Sequence, residues 1–198
     1  MYTNPILLDI PNQFESARLI LRTPLDGDGS ITFPAIQETQ DTLAQWFPQI
    51  RIPNTIQEAE EYLREEQANL LLRQSIRLLI FRQDTGEFIG EAQFANFDWH
   101  IPRCEINYWV RSSMQRQGYM TEAIRRMTDF GFDVLHMERI GIHCDTNNVA
   151  CYRLAEKAGY TLDGTLRNYR RGYNGKLADT IVYSMIPEAW NAIKSDTD

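Results

Sequence analysis

Residues 104–127, "CEINYWVRSSMQRQGYMTEAIRRM", change their local code twice within one run. From Cys104 to Arg111 the residues alternate as a strand does, with Glu105, Asn107 and Trp109 on one face and Ile106, Tyr108 and Val110 on the other. From about Gly118 to Leu135 the spacing becomes that of an amphipathic helix, placing Ala123, Ile124, Met127, Phe130 and Val134 on one face. Between the two lies a polar, basic turn with a single glycine, Gln115 to Met120. The first amides of a helix have no intrahelical acceptor, and the macrodipole adds roughly +0.5 charge there. No capping side chain immediately precedes Gly118, so either an anion such as a phosphate or water must satisfy those amides. No Gly-Lys-Ser/Thr follows and no GxGxxG is present, which excludes a Walker loop and a dinucleotide fingerprint.

Outward from this junction the chain reads as mixed α/β. Upstream, "ARLILRTP" is a first strand stopped at Pro24, with helices expected after it. Thr55 to about Arg73 opens with a Thr cap and Glu58 three residues on, and carries Ala59, Tyr62, Leu63 and Leu70 at helical spacing. "SIRLLIFRQ" and "FIGEAQFANF", joined by "DTG", form an antiparallel hairpin. Downstream, "RIGIHC" is a short buried strand, "NVACYRLAEKAG" a helix closed by Gly159, and "YTLDGTLR" with "DTIVYSMI" a last strand pair. The order is an antiparallel first half followed by a strand–helix–strand unit.

Composition limits the function classes. The 198 residues, 43% apolar, bury a sizeable core and are expected to form one domain spanning 1–198 with its core at about 16–187. A net charge of −7 argues against broad, sequence-independent binding to nucleic acid. The N-terminus lacks a basic leader and no stretch approaches ~20 apolar residues, so a soluble cytoplasmic protein with no membrane partner is expected. Cys104, Cys144 and Cys151 are odd in number and lack a CxxC pair, so neither a disulfide framework nor a zinc site is expected. His100, His136 and His143 share no metal spacing; no metal is expected and no histidine is assigned to a site.

"QRQGYM" resembles the Gln/Arg-x-x-Gly-x-Gly/Ala pyrophosphate loop of the GNAT N-acetyltransferases, with Gln115 and Gly118 matching and Met120 departing at the last position. "ARLILRTP", "CEINYWVR", "NVACYRLAEKAGYTLDGTLR" and "DTIVYSMI" stand in the family's order, and together they look like the RimJ/RimL branch over roughly Ser16 to Pro187. The resemblance implies a GNAT fold: a mostly antiparallel, twisted mixed sheet with splayed central strands, flanked by helices. It implies acetyl-coenzyme A as cosubstrate. Its pyrophosphate would lie on the amides of Gln115, Arg116, Gln117, Gly118, Tyr119, Met120 and Thr121, and its pantetheine arm along Trp109, Val110 and Arg111. Arg111, Arg116, Arg125 and Arg126 are the cations near those phosphates, and Arg116 is the one chosen as a ligand.

The same resemblance sets Asn148 at the family's Asn, to bond the pantetheine or the splayed strand, with Asn147 as the simple helix cap. Cys151 takes the place of a Ser thought to help the departing thiolate, although a thiol donates weakly and an inert packed cysteine is the other reading. The Tyr general acid of other branches is replaced by Ala155. Glu105 matches a strand glutamate that acts as general base, and a salt-bridged strand carboxylate is the alternative. Asp179 matches an acidic position open to turn capping or acceptor binding. The implied reaction is direct attack of a primary amine on the thioester through a tetrahedral intermediate, with amides near Trp109 and Val110 facing the oxyanion. The expected acceptor is a protein N-terminal amine of the ribosomal-protein type. The alternatives are a small amine (polyamine, aminoglycoside or amino acid) or a coenzyme-A-binding protein without catalysis. A monomer or a homodimer is expected.

Overall fold

The computed structural model describes residues 4–48, 51–172 and 174–195. Its strands are β1 (Gln13–Glu15), β2 (Leu19–Arg22), β3 (Ile76–Arg82), β4 (Phe88–Asp98), β5 (Arg103–Val110), β6 (Arg139–Asp145), β7 (Thr161–Arg171) and β8 (Leu177–Met185). The helices are α1 (Gly29–Trp46), α2 (Ile56–Leu71), α3 (Tyr119–Asp133), α4 (Val149–Ala158) and α5 (Pro187–Ser195). The strands form one sheet in the order β1-β2-β3-β4-β5-β6-β8-β7. Every neighbouring pair is antiparallel except β5 and β6.

Local chemistry explains the helix boundaries. The Thr55 hydroxyl accepts from the Glu58 amide at 3.1 Å, and Glu58 reaches back to the Asn54 amide at 2.8 Å, a capping box displaced by one residue. Gly159, at φ +99°, closes α4 with its amide on Glu156. The α3 helix stops at Asp133, so Val134 packs on the core as its C-terminal cap rather than within the helical face. Two elements had no expectation behind them, β1 and α5.

The sheet is covered on both faces. On one, α3, α4 and α5 bring Ile124, Met127, Phe130, Ala155 and Trp190 onto Phe94, Ile106 and Ile140. On the other, Ala35 of α1 and Leu63 of α2 pack on Leu79, Phe81 and Phe88. β5 and β6, the strands on either side of the α3 crossover, pair only at Arg103–Arg139, Cys104–Ile140 and Glu105–Gly141. Beyond Gly141, β6 stays paired to β8 as far as Asp145 while β5 stays paired to β4 as far as Val110, so the sheet opens between them.

Beneath α2 a buried polar cluster ties helix to sheet. Arg77 donates to Glu91 at 2.6 Å and to Gln93 at 3.0 Å, lies 3.3 Å from Glu66, and sits 4.7 Å above the Tyr62 ring. Burial opposes the Arg77 charge, but the groups around it outweigh burial and hold it firmly protonated. Replacing Arg77 with Met leaves two buried carboxylates without their cation, and we expect a loss of about 3–5 kcal/mol in unfolding free energy by urea denaturation. A loss under ~1 kcal/mol would mean that the cluster does not hold α2 to the sheet.

Candidate active site

The turn between β5 and α3 is held from outside. Glu38 of α1 accepts from the Ser113 amide at 2.6 Å and the Arg111 guanidinium at 2.5 Å, and Thr39 accepts from the Ser112 amide at 3.1 Å. Arg116 at φ +60° and Gly118 at φ +81° then turn the chain into α3. No side chain of the described residues caps this helix. The one first-turn acid, Glu122, points away. It accepts from the Ser16 hydroxyl at 2.7 Å, the Arg18 amide at 2.8 Å and the Arg18 guanidinium at 2.7 Å. Burial alone would raise the Glu122 carboxyl, but these bonds hold it below its ordinary range. The first-turn amides thus face outward with no competing carboxylate, a donor set that fits a pyrophosphate.

A cavity of about 560 Å³ starts at these amides and runs into the opening of the sheet. Gln115, Arg116, Gly118, Tyr119, Met120 and Thr121 line one end. Asn107, Tyr108, Trp109 and Val110 of β5 and Ile142 and His143 of β6 form its sides, α4 adds Cys151, Leu154 and Lys157, and Thr42, Trp46 and Phe47 close over it. The Arg111 amide already bonds Ile89 of β4 at 2.8 Å, so strand alternation turns the Val110 amide toward the opening and the Trp109 amide toward β4.

Of the residues singled out from the sequence, Trp109, Val110, Gln115, Arg116, Gly118, Tyr119, Met120, Thr121, Asn148 and Cys151 line this cavity. Arg111 and Gln117 lie outside its lining; Arg111 is paired with Glu38, and the Gln117 side chain donates to Ser113 at 3.2 Å. Arg125 donates to the Lys157 carbonyl and Arg126 to that of Glu15, each at 2.7 Å, whereas Arg116 faces the cavity with no ion-pair partner among the described residues. Glu105 stands at the last paired rung before the opening, accepting from Asn96 at 3.0 Å with His143 3.5 Å away. Asp179 accepts from the Asn168 amide at 2.8 Å, bracing the β7–β8 hairpin.

Two expectations change. The cap of α4 is Asn148, whose side chain accepts from the Cys151 amide at 3.1 Å, while Asn147 donates to Asp145. Cys144 and Cys151, expected as free thiols, form a disulfide, leaving Cys104 as the free cysteine, its thiol pushed up by burial. The turn from β6 into α4 brings the two Cα atoms to 5.8 Å, a proximity that their spacing of seven does not reveal. Cys151 therefore carries no S–H in this state. A neutral donor beside it was missed: the Tyr108 hydroxyl, bonded to the Cys151 carbonyl at 3.1 Å and kept protonated because burial pushes it up. His143, assigned to no site from the sequence, also lines the cavity. Its signal was its place two residues after Gly141 in "RIGIHC", on the side that faces Glu105 once the register is known. Among the described residues no group of three or more His, Cys, Asp or Glu could hold a metal ion, and no helix is long and apolar enough to cross a membrane.

Comparison with known proteins matches this geometry to a family. Residues 18–161 match the family model described as an acetyltransferase (GNAT) domain. The chain is 32% identical over 172 residues to the N-acetyltransferase YoaA of Bacillus subtilis, covering 87% of this chain and 95% of that one. It is 27% identical over 126 residues to the ribosomal-protein-serine acetyltransferase of Escherichia coli, covering 62% and 69%. Among solved structures, RimL, a ribosomal L7/L12 alpha-N-protein acetyltransferase in complex with coenzyme A, superposes with a TM-score of 0.79 at 22% identity over 88% of this chain and 97% of that one, and so shares the fold. The chain therefore belongs to the GNAT family of acetyl-coenzyme A-dependent N-acetyltransferases, with relatives of the RimJ/RimL type.

Proposed function

We propose that this enzyme acetylates the α-amine of a protein N-terminus. The observation that carries the reading is the single cavity joining the uncapped first turn of α3 to the open edge of β5. The first-turn amides and Arg116 bind the pyrophosphate, and the Val110 amide, turned into the opening, faces the carbonyl oxygen as negative charge builds on it. Bound acetyl-coenzyme A supplies an activated thioester carbonyl for attack. The Tyr108 hydroxyl holds the proton nearest the Cys151 end of the wall and donates toward the departing sulfur.

Acceptor chemistry supports the N-terminal reading. An α-amine with a pKa of about 8 costs roughly 1.4 kcal/mol to deprotonate at pH 7, whereas a lysine near 10.4 costs roughly 4.6 kcal/mol. Glu105 and His143, 3.5 Å apart where the strands begin to part, are the side chains placed to take the amine proton. The similarity to the ribosomal-protein-serine acetyltransferase of Escherichia coli points to the same acceptor class. An acceptor screen with acetyl-coenzyme A tests this: N-terminal peptides should be acetylated far faster than free lysine, polyamines or aminoglycosides. Preference for a small amine overturns the acceptor, and no turnover with any of them overturns the enzyme reading for this chain.

Two variants probe the site. Gly118→Asn and Gly118→Asp share the strain of a side chain at φ +81°, which both residues tolerate better than most, but only Asp adds a carboxylate where phosphate oxygens lie. Calorimetry should show coenzyme A bound at least tenfold more weakly by Asp than by Asn, with the gap narrowing as salt rises; equal affinities would remove the phosphate assignment. Tyr108→Phe should lower kcat about tenfold and leave KM for acetyl-coenzyme A within twofold, as expected when a bond made only in the transition state is lost. A pure KM effect would make Tyr108 a packing residue.

A further inference from the structure

Resting on that reading, we propose that His143 is the catalytic base and that Glu105 is a positioning residue that holds its ring. The family resemblance gave the proton to Glu105, but the geometry favours its neighbour. His143 lines the cavity and Glu105 does not. Glu105 sits on the last rung shared by β5 and β6, opposite Gly141, and His143 is two residues further along β6 on the same side, where the sheet has already opened. The Glu105 Oε2 atom is anchored by Asn96 at 3.0 Å and lies 3.5 Å from His143 Nδ1. Gly141 lies between the two side chains: a side-chain carbon there would touch both at ordinary contact distance, 3.5 Å from Glu105 Cγ and 3.7 Å from His143 Nε2. The Tyr169 ring meets the imidazole edge-on at 6.1 Å.

The nearby acid on the strand of His143 is already engaged. Asp145, two residues along its own strand, is engaged by Arg170 at 2.8 Å; Val182 lies opposite on β8; Thr42, Trp46 and Phe47 bring no charge from above. With the Glu105 carboxylate 3.5 Å from Nδ1, we place the N–H on Nδ1 and the lone pair on Nε2. As the amine nitrogen bonds the acetyl carbon, its proton passes to Nε2. The carbon–sulfur bond breaks with its electron pair on sulfur, the sulfur takes the Tyr108 proton to become the thiol of coenzyme A, and solvent restores that proton as it receives the one on Nε2. The balance is amine plus acetyl thioester giving amide plus thiol, with no further reactant.

The test compares four variants with an N-terminal peptide as acceptor. His143→Ala and His143→Gln should each lose about 100-fold in kcat, at the low end of what a general base contributes. Their coenzyme A affinity by calorimetry should stay within twofold, and added imidazole should restore part of the rate to His143→Ala. Glu105→Gln, which still accepts from Nδ1–H, should keep most of the rate, while Glu105→Leu should lose about tenfold and show by ¹⁵N NMR a His143 ring no longer held in the Nδ1–H tautomer. Histidine variants within threefold of the parent, or Glu105→Gln as slow as Glu105→Leu, would return the base to Glu105. If the parent acetylates no peptide, the acceptor reading falls by itself; the NMR comparison still decides the pair, and an unchanged tautomer in Glu105→Leu would overturn it.

Discussion

The parallel pairing of β5 and β6 lasts three residues and then stops, and the site depends on that interruption. Backbone N–H and C=O groups inside a protein need partners. Past Glu105, β5 keeps its partner on the β4 side and, among the described residues, pairs with no strand on the other. A polar, amide-bearing chain such as pantetheine can complete that edge as an added strand would. The same divergence brings the uncapped end of α3 to one mouth of the opening, and Glu105 and His143 stand where the strands part. The open strand edge, the uncapped helix end and the Glu105–His143 pair thus meet at one break in one ladder.

The opening survives because both its sides are anchored elsewhere. β6 holds six consecutive pairs with β8, and β5 is held by β4 along its length. Glu38 and Thr39 brace the turn before α3, and Ser16 and Arg18 draw off the carboxylate of Glu122 that would otherwise compete for the anion site. The Arg77 cluster fixes α2 to the sheet. The Cys144–Cys151 disulfide joins the end of β6 to the first turn of α4, tying together two walls of the cavity.

Much of this was legible in the residues, because the signals were local. The hairpin around "DTG", the Thr55 cap, the change of period across Gly118 and the Gly159 stop all act within a few residues, and each element stands where its signal placed it. What was not legible depends on contacts between distant segments. The three residues of β1 become a strand only by pairing with Ile20 to Arg22. Two adjacent asparagines offer the same cap, and only the path out of β6, where Asn147 is engaged by Asp145, selects Asn148. The disulfide depends on a tertiary turn. His143 was hidden because a short buried strand gives little sign of which face each residue takes, and the register of Glu105 on Gly141 decides it.

Hydrogen exchange of the backbone amides, with and without coenzyme A, measures the central claim directly, since it reports which N–H groups gain a partner. The account predicts slowed exchange at Gly118 to Thr121 and at Val110, with the β7–β8 hairpin unchanged. Protection confined to other segments, with those amides exchanging as before, would contradict it.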